Sequence, residues 1–340
     1  AQYGATNVAV SYQDLMRSAL RGMVDALGDP HTGYLDPVEL QQSDLSLEGE
    51  YEGIGAFVDT TTEYVTIIAP MEGSPAEDAG LMPGDLVVAV DGKDMTGVDG
   101  SVVISYILGP AGSSVVLTIE REGEPAPFDV PVVRAQITVP SVQSEIIEGD
   151  IAYVQLFTFG SNSADEMHAA LEEVLAQNPK GLILDLRNNG GGFLHTAVSI
   201  TSEFIGDGVV LYEEYGDGTS DLYNVEDGGL ALDIPIIVLV NQGTASASEI
   251  LAGAIQDYER GLLLGETTFG KGSVQISRDL SNGQGALRIT VAHWLTPDHR
   301  LIHGIGLEPD VGVVLTEEDL QAQLDPQLDR AVELLQAQGN

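Results

Sequence analysis

Beyond residue 140 the chain alternates between short apolar runs, turns rich in small residues and segments of helical spacing. Short continuous apolar runs indicate buried strands, and apolar residues three and four positions apart indicate helices. A strand, a glycine-rich loop and a helix, repeated in this way, are typical of an α/β layered core. The predicted strands are Ile151–Phe157, Gly181–Leu186 and Ile236–Asn241, and the predicted helices are Ala164–Gln177, Leu194–Phe204 and Ser246–Tyr258.

Between residues 50 and 134 the pattern is different, because apolar side chains recur at every second position. This period is typical of strands. Two short helices interrupt it, one with Ser74 as its N-cap and one across Val98–Leu108. A compact module of roughly 85 residues has the size of a small domain. Its predicted strands are 54–58, 65–69, Leu86–Val90, Val115–Arg121 and Phe128–Arg134.

Ahead of this module, helical spacing at residues 11–28 and a second helix start near Asp36 predict a short helical segment that packs on another part of the chain. A chain of 340 residues is long enough for two or three packed units. We expect an N-terminal helical segment (1–48), a small domain (49–136) and an α/β core with a C-terminal helix (137–340).

The charge balance excludes two classes of partner. The chain has 53 acidic and 13 basic residues, a formal net charge of −40. Nucleic acids and anionic membrane surfaces both require clustered Lys and Arg, so neither is an expected partner. We interpret the charge as a hydrated acidic surface; attraction of basic substrates is the alternative, for which no localised acidic run stands out.

Cysteine is absent, which excludes a disulfide framework, a thiol nucleophile and a thiolate metal site. A cysteine-free chain suits an oxidising compartment outside the cytoplasm. No run of 18 apolar residues predicts a membrane span. The chain begins at Ala1 without an initiator Met or a signal peptide, so we expect a mature or trimmed chain that has lost an export signal or anchor.

Three hydroxyl side chains, those of Thr244, Ser246 and Ser248, lie where the strand Ile236–Asn241 leads into a helix. Unpaired backbone N–H groups and the helix dipole at such a position favour negative charge that develops in a reaction. The same residue types serve more often as helix caps. From this stretch alone, capping is the favoured interpretation.

The glycine-rich turn Asn188–Gly192 also follows a buried strand and precedes a helix. Its backbone N–H groups would suit an oxyanion hole or a phosphate cradle. Neither G-x-G-x-x-G nor the P-loop lysine pattern is present, which disfavours the phosphate interpretation. A tight connection between two elements is the alternative.

The chain has three lysines, and Lys271 lies between two glycines after the apolar run Leu262–Leu264. A lysine that acts as a general base must be neutral, which requires burial that lowers its pKa. An exposed hairpin lysine is the alternative. Lys93 and Lys180 fall in predicted turns and are interpreted as surface charges.

The six histidines do not form the H-E-x-x-H pattern, which disfavours a zinc protease. The absence of G-x-S-x-G disfavours an α/β-hydrolase. His195, which follows the glycine-rich turn, is the one histidine retained as a candidate.

Together these stretches resemble the carboxyl-terminal processing (tail-specific) proteases. Thr244–Glu249 is similar to their nucleophile motif and Gly270–Gln275 to their lysine motif. Lys271 follows Ser246 by 25 positions, which is the family spacing and selects Ser246 over the neighbouring hydroxyls. The resemblance implies that Ser246 is the nucleophile, that Lys271 is the general base and that Gln275 orients the lysine amine.

The segment Leu184–Gly192 resembles the strand and loop that form the family's oxyanion hole. The resemblance implies donors among the N–H groups of Gly191, Gly192 and Ala247, with the choice between the two glycines left open. Gly190 stands where the family frequently has proline, a departure that should not affect the chemistry.

The middle module resembles a PDZ domain, whose extended loop binds a terminal carboxylate while the substrate tail adds as a strand. Arg134, at its end, resembles the family arginine that couples the PDZ position to the active site; a surface arginine is the alternative. Other matching segments are Gly28–Thr32, Leu108–Ser113 and Gly304–Asp310. The loop residues implied are Gly53, Ile54, Gly55 and Ala56.

The resemblance implies a ClpP/crotonase-like α/β core with an inserted PDZ domain, and a serine endopeptidase that cleaves proteins near their C-terminus. It implies protein substrates with apolar C-terminal tails and no need for a metal or organic cofactor. It also implies a location in the periplasm or cell envelope, and it leaves open whether the chain forms a homo-oligomer. One alternative is a PDZ-containing adaptor with a catalytically silent core. A crotonase-type acyl-CoA enzyme is a second, but it leaves the PDZ module and Lys271 unexplained.

Overall fold

The computed structural model of the chain describes residues 11–338, with the side chains of all but 14, 41, 42, 44–46, 320 and 338. It divides into two compact units. The core unit takes the residues up to 40 and from 140 onward, and the inserted unit is Gln41–Val139. The first ten residues of the predicted N-terminal segment and the last two of the predicted core lie outside the described residues. The boundaries predicted at residues 48 and 136 stay a prediction.

The described residues form helices and strands in both units. The helices are α1 (Tyr12–Asp25), α2 (Pro37–Glu48), α3 (Pro75–Asp78), α4 (Gly100–Ile107), α5 (Ser163–Leu175), α6 (Leu194–Ser202), α7 (Ala247–Asp257), α8 (Glu317–Gln321) and α9 (Pro326–Gln338). The strands are β1 (Gly33–Leu35), β2 (Glu50–Gly53), β3 (Ala56–Asp59), β4 (Val65–Pro70), β5 (Leu86–Val90), β6 (Lys93–Asp94), β7 (Ser114–Glu120), β8 (Phe128–Val133), β9 (Ala135–Thr138), β10 (Val142–Ile147), β11 (Ile151–Leu156), β12 (Gly181–Asp185), β13 (Val209–Tyr215), β14 (Ser220–Asn224), β15 (Ile236–Val240), β16 (Leu262–Gly265), β17 (Ser273–Asp279), β18 (Ala286–Leu295) and β19 (Val311–Gly312).

A mostly parallel sheet organises the core unit. Its strand order is β10-β11-β12-β15-β16-β19, and only β10 is antiparallel to its neighbour. Every residue of β12 and β15 is buried, as expected of parallel strands covered on both faces. Side chains of successive residues alternate between the two faces: Leu182 and Leu184 pack with α5, α6 and α7, whereas Ile183 packs with α9. The predicted α/β class is therefore confirmed, and α9 is the last helix of the core unit.

A second sheet of the core unit is built around the long strand β18. Strands β1, β13 and β17 all pair with it in antiparallel fashion, and β14 pairs with β13. Because β1 belongs to the N-terminal segment, that segment is not purely helical. The strands of this sheet are the main elements that the sequence analysis did not predict.

The inserted unit contains a sheet of order β3-β4-β5-β7-β8 and a separate pair, β2 with β9. A cluster of buried apolar residues from these strands and from α3 and α4 forms its core. Ser74 caps α3 as predicted, since its side chain accepts a hydrogen bond from the Glu77 N–H at 3.3 Å. No described helix in either unit is long and apolar enough to cross a membrane.

A buried ionic network joins the end of β12 to the C-terminal region. The Asp185 carboxylate accepts hydrogen bonds from the Tyr153 hydroxyl at 2.7 Å and from the Arg187 guanidinium at 2.6 Å. Arg187 in turn donates to Asp325 at 2.8 Å and to Gln327 at 3.0 Å. Burial acts against the charge of Arg187, but hydrogen bonds to Asp185 and Asp325 outweigh it and raise its pKa.

Substitution of Asp185 should destabilise the core unit. We expect Asp185→Asn to lower the free energy of unfolding by about 3 kcal/mol, because removing one partner leaves a buried charge less compensated. Urea unfolding can be followed by the fluorescence of Trp294, the only tryptophan of the chain, which is buried in the core unit.

The matched control is Asp150→Asn, which removes the same charge from an exposed pair with Lys180. It should change the unfolding free energy by no more than about 0.5 kcal/mol. Equal effects of the two substitutions would contradict a stabilising role of the buried network.

Candidate active site

Ser246 lies in a strained turn between β15 and α7. It occupies the N-cap position with φ 58° and ψ −118°, a backbone conformation that costs a non-glycine residue about 1–3 kcal/mol. Strained turns between a strand and a helix are known to project nucleophilic serines. A residue that only caps a helix does not require this strained conformation. The backbone geometry therefore indicates more than a capping role for Ser246.

The two competing hydroxyls are buried and engaged. Thr244 donates to the Leu186 carbonyl at 2.9 Å, and Ser248 donates to the Asn189 carbonyl at 2.9 Å. Both side chains are fully buried, whereas Ser246 is partly exposed. Of the three hydroxyls, only that of Ser246 is accessible to a substrate.

The glycine-rich turn lies directly against Ser246. Because β12 and β15 are parallel neighbours, the loops at their carboxyl ends meet at one edge of the sheet. A Cβ atom at Gly191 would lie 2.8 Å from both the Ala247 nitrogen and the Ser246 Cβ. Only glycine permits this approach.

Hydrogen bonding distinguishes the predicted oxyanion-hole donors. The Gly191 N–H is already engaged, since it donates to the Asn189 side-chain oxygen at 2.9 Å. Within the described residues the N–H groups of Gly192 and Ala247 make no hydrogen bond. The N–H groups of Gly192 and Ala247 are therefore available to an oxyanion, and the choice between the two glycines stays a prediction.

Lys271 is half-buried in a loop that packs backbone against backbone on residues 302–306. Cβ atoms at Gly270 and Gly272 would lie 2.7 Å and 2.8 Å from backbone nitrogens of that segment. Burial lowers the pKa of Lys271, and the nearby Arg288 lowers it further, while the charge of Glu249 opposes both. The exposed-hairpin alternative does not describe this lysine.

The Glu249 carboxylate joins the Ser246 turn to the Lys271 loop. One oxygen accepts from the backbone N–H of Ser246 at 2.9 Å and of Lys271 at 2.8 Å. The other accepts from the Gly270 N–H at 2.7 Å and from the Thr268 hydroxyl at 2.5 Å. The side chain is fully buried. This role is not evident from the sequence motifs, although the spacing of Ser246 and Glu249 is that of a capping box, the one signal that points to it.

Gln275 does not hydrogen-bond to the Lys271 amine. Its amide nitrogen donates to the Ser273 hydroxyl at 2.9 Å and to the Thr290 hydroxyl at 3.3 Å. The pairing of β17 with β18 shifts register between Val274 and Gln275, directly beside the candidate site.

Arg134 belongs to the inserted unit and is almost fully buried there. Its guanidinium donates to the carbonyls of Ile107 at 2.6 Å, Tyr106 at 3.0 Å and Ser114 at 3.1 Å, and to the Ser113 hydroxyl at 3.0 Å. These contacts hold the C-terminal end of α4, so Arg134 is not a solvated surface residue. Its regulatory role stays a prediction.

His195 and a group of three histidines lie in different environments. The exposed His195 stacks on Phe193, with ring centroids 5.3 Å apart. His303 instead contacts His31 and His293, at centroid separations of 5.6 Å and 4.9 Å. Burial and the charge of Lys271 lower the pKa of His31. No group of three or more acidic or histidine side chains in the described residues could hold a metal ion.

Comparison with known proteins identifies the family. The chain matches peptidase family S41 over residues 150–313 and a PDZ domain over residues 66–121. It is 38% identical over 307 residues to the carboxy-terminal-processing protease of Bartonella bacilliformis, an alignment that covers 88% of this chain and 70% of the relative. It is 36% identical over 304 residues to the carboxy-terminal processing protease CtpA of Bacillus subtilis, covering 89% and 65%.

Solved structures agree with this result. The photosystem II D1 C-terminal processing protease is 32% identical, with a TM-score of 0.56 over 94% of this chain and 86% of that one. A putative S41 protease from Bacteroides fragilis shares the fold at 18% identity, with a TM-score of 0.59 over 98% and 92%. The chain belongs to the carboxy-terminal processing serine proteases of peptidase family S41 and carries a PDZ domain, which confirms the predicted family.

Glu249→Gln tests whether the carboxylate positions the site. The amide replaces one acceptor oxygen with a donor, so two of the four hydrogen-bond donors lose their partner. We expect kcat for a peptide substrate to fall by about 10²-fold, since small misplacements of reacting groups have effects of that size, and KM to change little.

The control is Glu259→Gln, an exposed residue just beyond α7 that loses the same charge. The urea midpoint, read from Trp294 fluorescence, establishes that both variants are folded. Equal kcat values for the two folded variants would show that the Glu249 carboxylate does not position the site.

Proposed function

We propose that the chain is an endopeptidase that cleaves proteins near their C-terminus, with Ser246 as nucleophile and Lys271 as general base. The observation that carries the proposal is the double contact of the Glu249 carboxylate, which accepts from the backbone N–H of both residues. Two segments that supply a nucleophile and a base are thereby fixed to one buried group. A serine and a lysine without a joint function would not need a shared buried carboxylate.

The proposed mechanism requires a neutral Lys271, and the lowered pKa of its amine favours this state. Neutral Lys271 takes the proton of the Ser246 hydroxyl as the oxygen attacks the scissile carbonyl. The N–H groups of Gly192 and Ala247 stabilise the negative oxygen of the tetrahedral intermediate. The lysine ammonium then protonates the leaving amine, and an acyl-enzyme forms. Water, deprotonated by Lys271, hydrolyses the ester and regenerates Ser246.

Gln275 fits this scheme through its carbonyl oxygen. Its amide nitrogen is held by Ser273 and Thr290, while Oε1 makes no hydrogen bond within the described part of the chain. We propose that Oε1 accepts a hydrogen bond from the Lys271 amine when substrate is bound, which would aim the lone pair of the amine at Ser246.

The inserted unit would recognise the substrate tail. We propose that the loop Gly53–Ala56 binds the terminal carboxylate of an apolar C-terminal tail, and that the tail adds to β3 as a further strand. Strand β3 supports this, because among the described residues it pairs only with β4. The extracytoplasmic location, the regulatory role of Arg134 and a homo-oligomeric state stay predictions.

Cleavage of β-casein or of a peptide with an apolar tail tests the catalytic assignment. Ser246→Ala and Lys271→Met should each lower kcat/KM by at least about 10³-fold, because each removes a reacting group. Ser277→Ala, an exposed serine on β17, is the matched control and should leave activity unchanged.

Unchanged cleavage by Ser246→Ala would refute the nucleophile assignment. Cleavage by none of the proteins, the unsubstituted chain included, would favour the adaptor with a silent core.

The pH dependence of kcat/KM tests the state of the lysine. Activity should rise as the pH passes upward through the pKa of Lys271, since only the neutral amine accepts a proton. Arg288 lowers that pKa, so Arg288→Gln should raise it and move the acid limb of the profile to higher pH.

Arg278→Gln removes the same charge from an exposed position on the same hairpin and should leave the profile in place. A profile for Arg288→Gln that coincides with that of the unsubstituted chain would argue against Lys271 as the titrating base.

A further inference from the structure

The loop between β2 and β3 has both of its carbonyl groups fixed on one side. The Ile54 carbonyl accepts from the Ala76 N–H at 2.8 Å. The Gly55 carbonyl accepts from the Met71 N–H at 3.0 Å and from the Ser74 hydroxyl at 2.8 Å. The start of α3 and the turn before it thus determine the orientation of two successive peptide groups.

The N–H groups of these peptides must point the other way. In a trans peptide the C=O of one residue and the N–H of the next are antiparallel, so the N–H groups of Gly55 and Ala56 face away from α3. The pairing of Ala56 with Pro70 agrees, since the bond from Met71 to Gly55 makes it a non-hydrogen-bonded pair. The Ala56 N–H therefore faces the edge of β3 that has no strand partner in the described residues.

Tyr51 lies next to this loop. Its ring packs on Gly53, where a Cβ atom would lie 2.8 Å from the ring. The N–H groups of Ala56 and Gly55 lie close enough to its hydroxyl to favour the ionised form of the phenol. Burial raises the pKa of Tyr51 more than these two N–H groups lower it, so the phenol keeps its proton at neutral pH.

We propose that the Tyr51 hydroxyl is a third hydrogen-bond donor to the C-terminal carboxylate of the substrate, beside the N–H groups of Gly55 and Ala56. This inference rests on the proposed binding of substrate tails by the loop. In the free chain the phenolic oxygen faces the two N–H groups. When a carboxylate takes that place, the hydroxyl turns its proton toward the nearer carboxylate oxygen and selects a free terminus over a blocked one.

The chemistry of the chain makes a neutral donor useful at this point. A formal net charge of −40 opposes the approach of an anion. A carboxylate has about four acceptor sites, so two backbone N–H groups leave it only partly satisfied after it loses water. A hydroxyl adds a hydrogen-bond donor without adding a charge to the loop.

The test measures peptide binding to the full chain carrying Ser246→Ala, which prevents cleavage. The probes are a fluorescein-labelled peptide with an apolar C-terminal tail and a free carboxylate, and the same peptide with a C-terminal amide. Tyr51→Phe removes only the hydroxyl. Tyr64→Phe is the matched control, since its hydroxyl contacts Thr96 elsewhere in the same unit.

We expect Tyr51→Phe to weaken binding of the free-carboxylate peptide by about tenfold, the size of one hydrogen bond to a charged group. Binding of the amide peptide should not change, and Tyr64→Phe should bind both peptides normally. With Ser246 intact, the same substitution should raise KM for the tailed substrate and leave kcat unchanged.

Undiminished or tighter binding of the carboxylate peptide by Tyr51→Phe would overturn the inference, since the hydroxyl would then be neutral or a competitor. An equal loss for both peptides would also overturn it, by assigning the effect to packing. If the unsubstituted Tyr51 chain does not discriminate between the two peptides, recognition of the tail carboxylate by this loop fails as a whole, and the inference with it.

Discussion

The Glu249 carboxylate is the interaction on which the site depends. Both of its oxygens accept two hydrogen bonds, the pattern of an ionised carboxylate, and the side chain is fully buried. Removing such a charge from water costs several kcal/mol unless hydrogen bonds compensate. Because the four donors come from two separate segments, they must stay in place together. The turn of Ser246 and the loop of Lys271 are thus held as one unit.

On the other side of Ser246, hydrogen bonds of Asn189 connect the glycine-rich turn to the turn that carries Ser246. Its side chain accepts from the Gly191 N–H and donates to the Leu156 carbonyl at 2.7 Å, while its own carbonyl accepts from the Ala245 N–H at 3.0 Å. The parallel pairing of β12 with β15 brings the two loops to one edge of the sheet, and Asn189 fixes their separation. The strain at Ser246 persists because both of its flanks are determined by buried polar groups.

The sequence predicted what local patterns encode. β5 has the predicted ends, α7 begins one residue after the predicted start, and Ser74 caps α3. Strands β14, β17 and β18 were missed because they are partly exposed and carry mixed polar and apolar residues, so only pairing across the chain defines them. The same limit applies to the site. Motif spacing identified Ser246 and Lys271 as candidates, but the partners of Glu249 and of the Gln275 amide depend on contacts between distant segments.

The net charge of the chain and the local surroundings of Lys271 have opposite effects on its protonation state. A negative field over the whole molecule favours the protonated form of every lysine, which would keep a general base inactive. Burial and the charge of Arg288 act in the opposite direction, and the pKa of Lys271 is lowered on balance. Surface charges more than about 10 Å away are screened by salt, whereas desolvation and a neighbouring guanidinium are screened much less. An acidic surface is therefore compatible with a neutral lysine in the site, provided that the loop remains packed against residues 302–306.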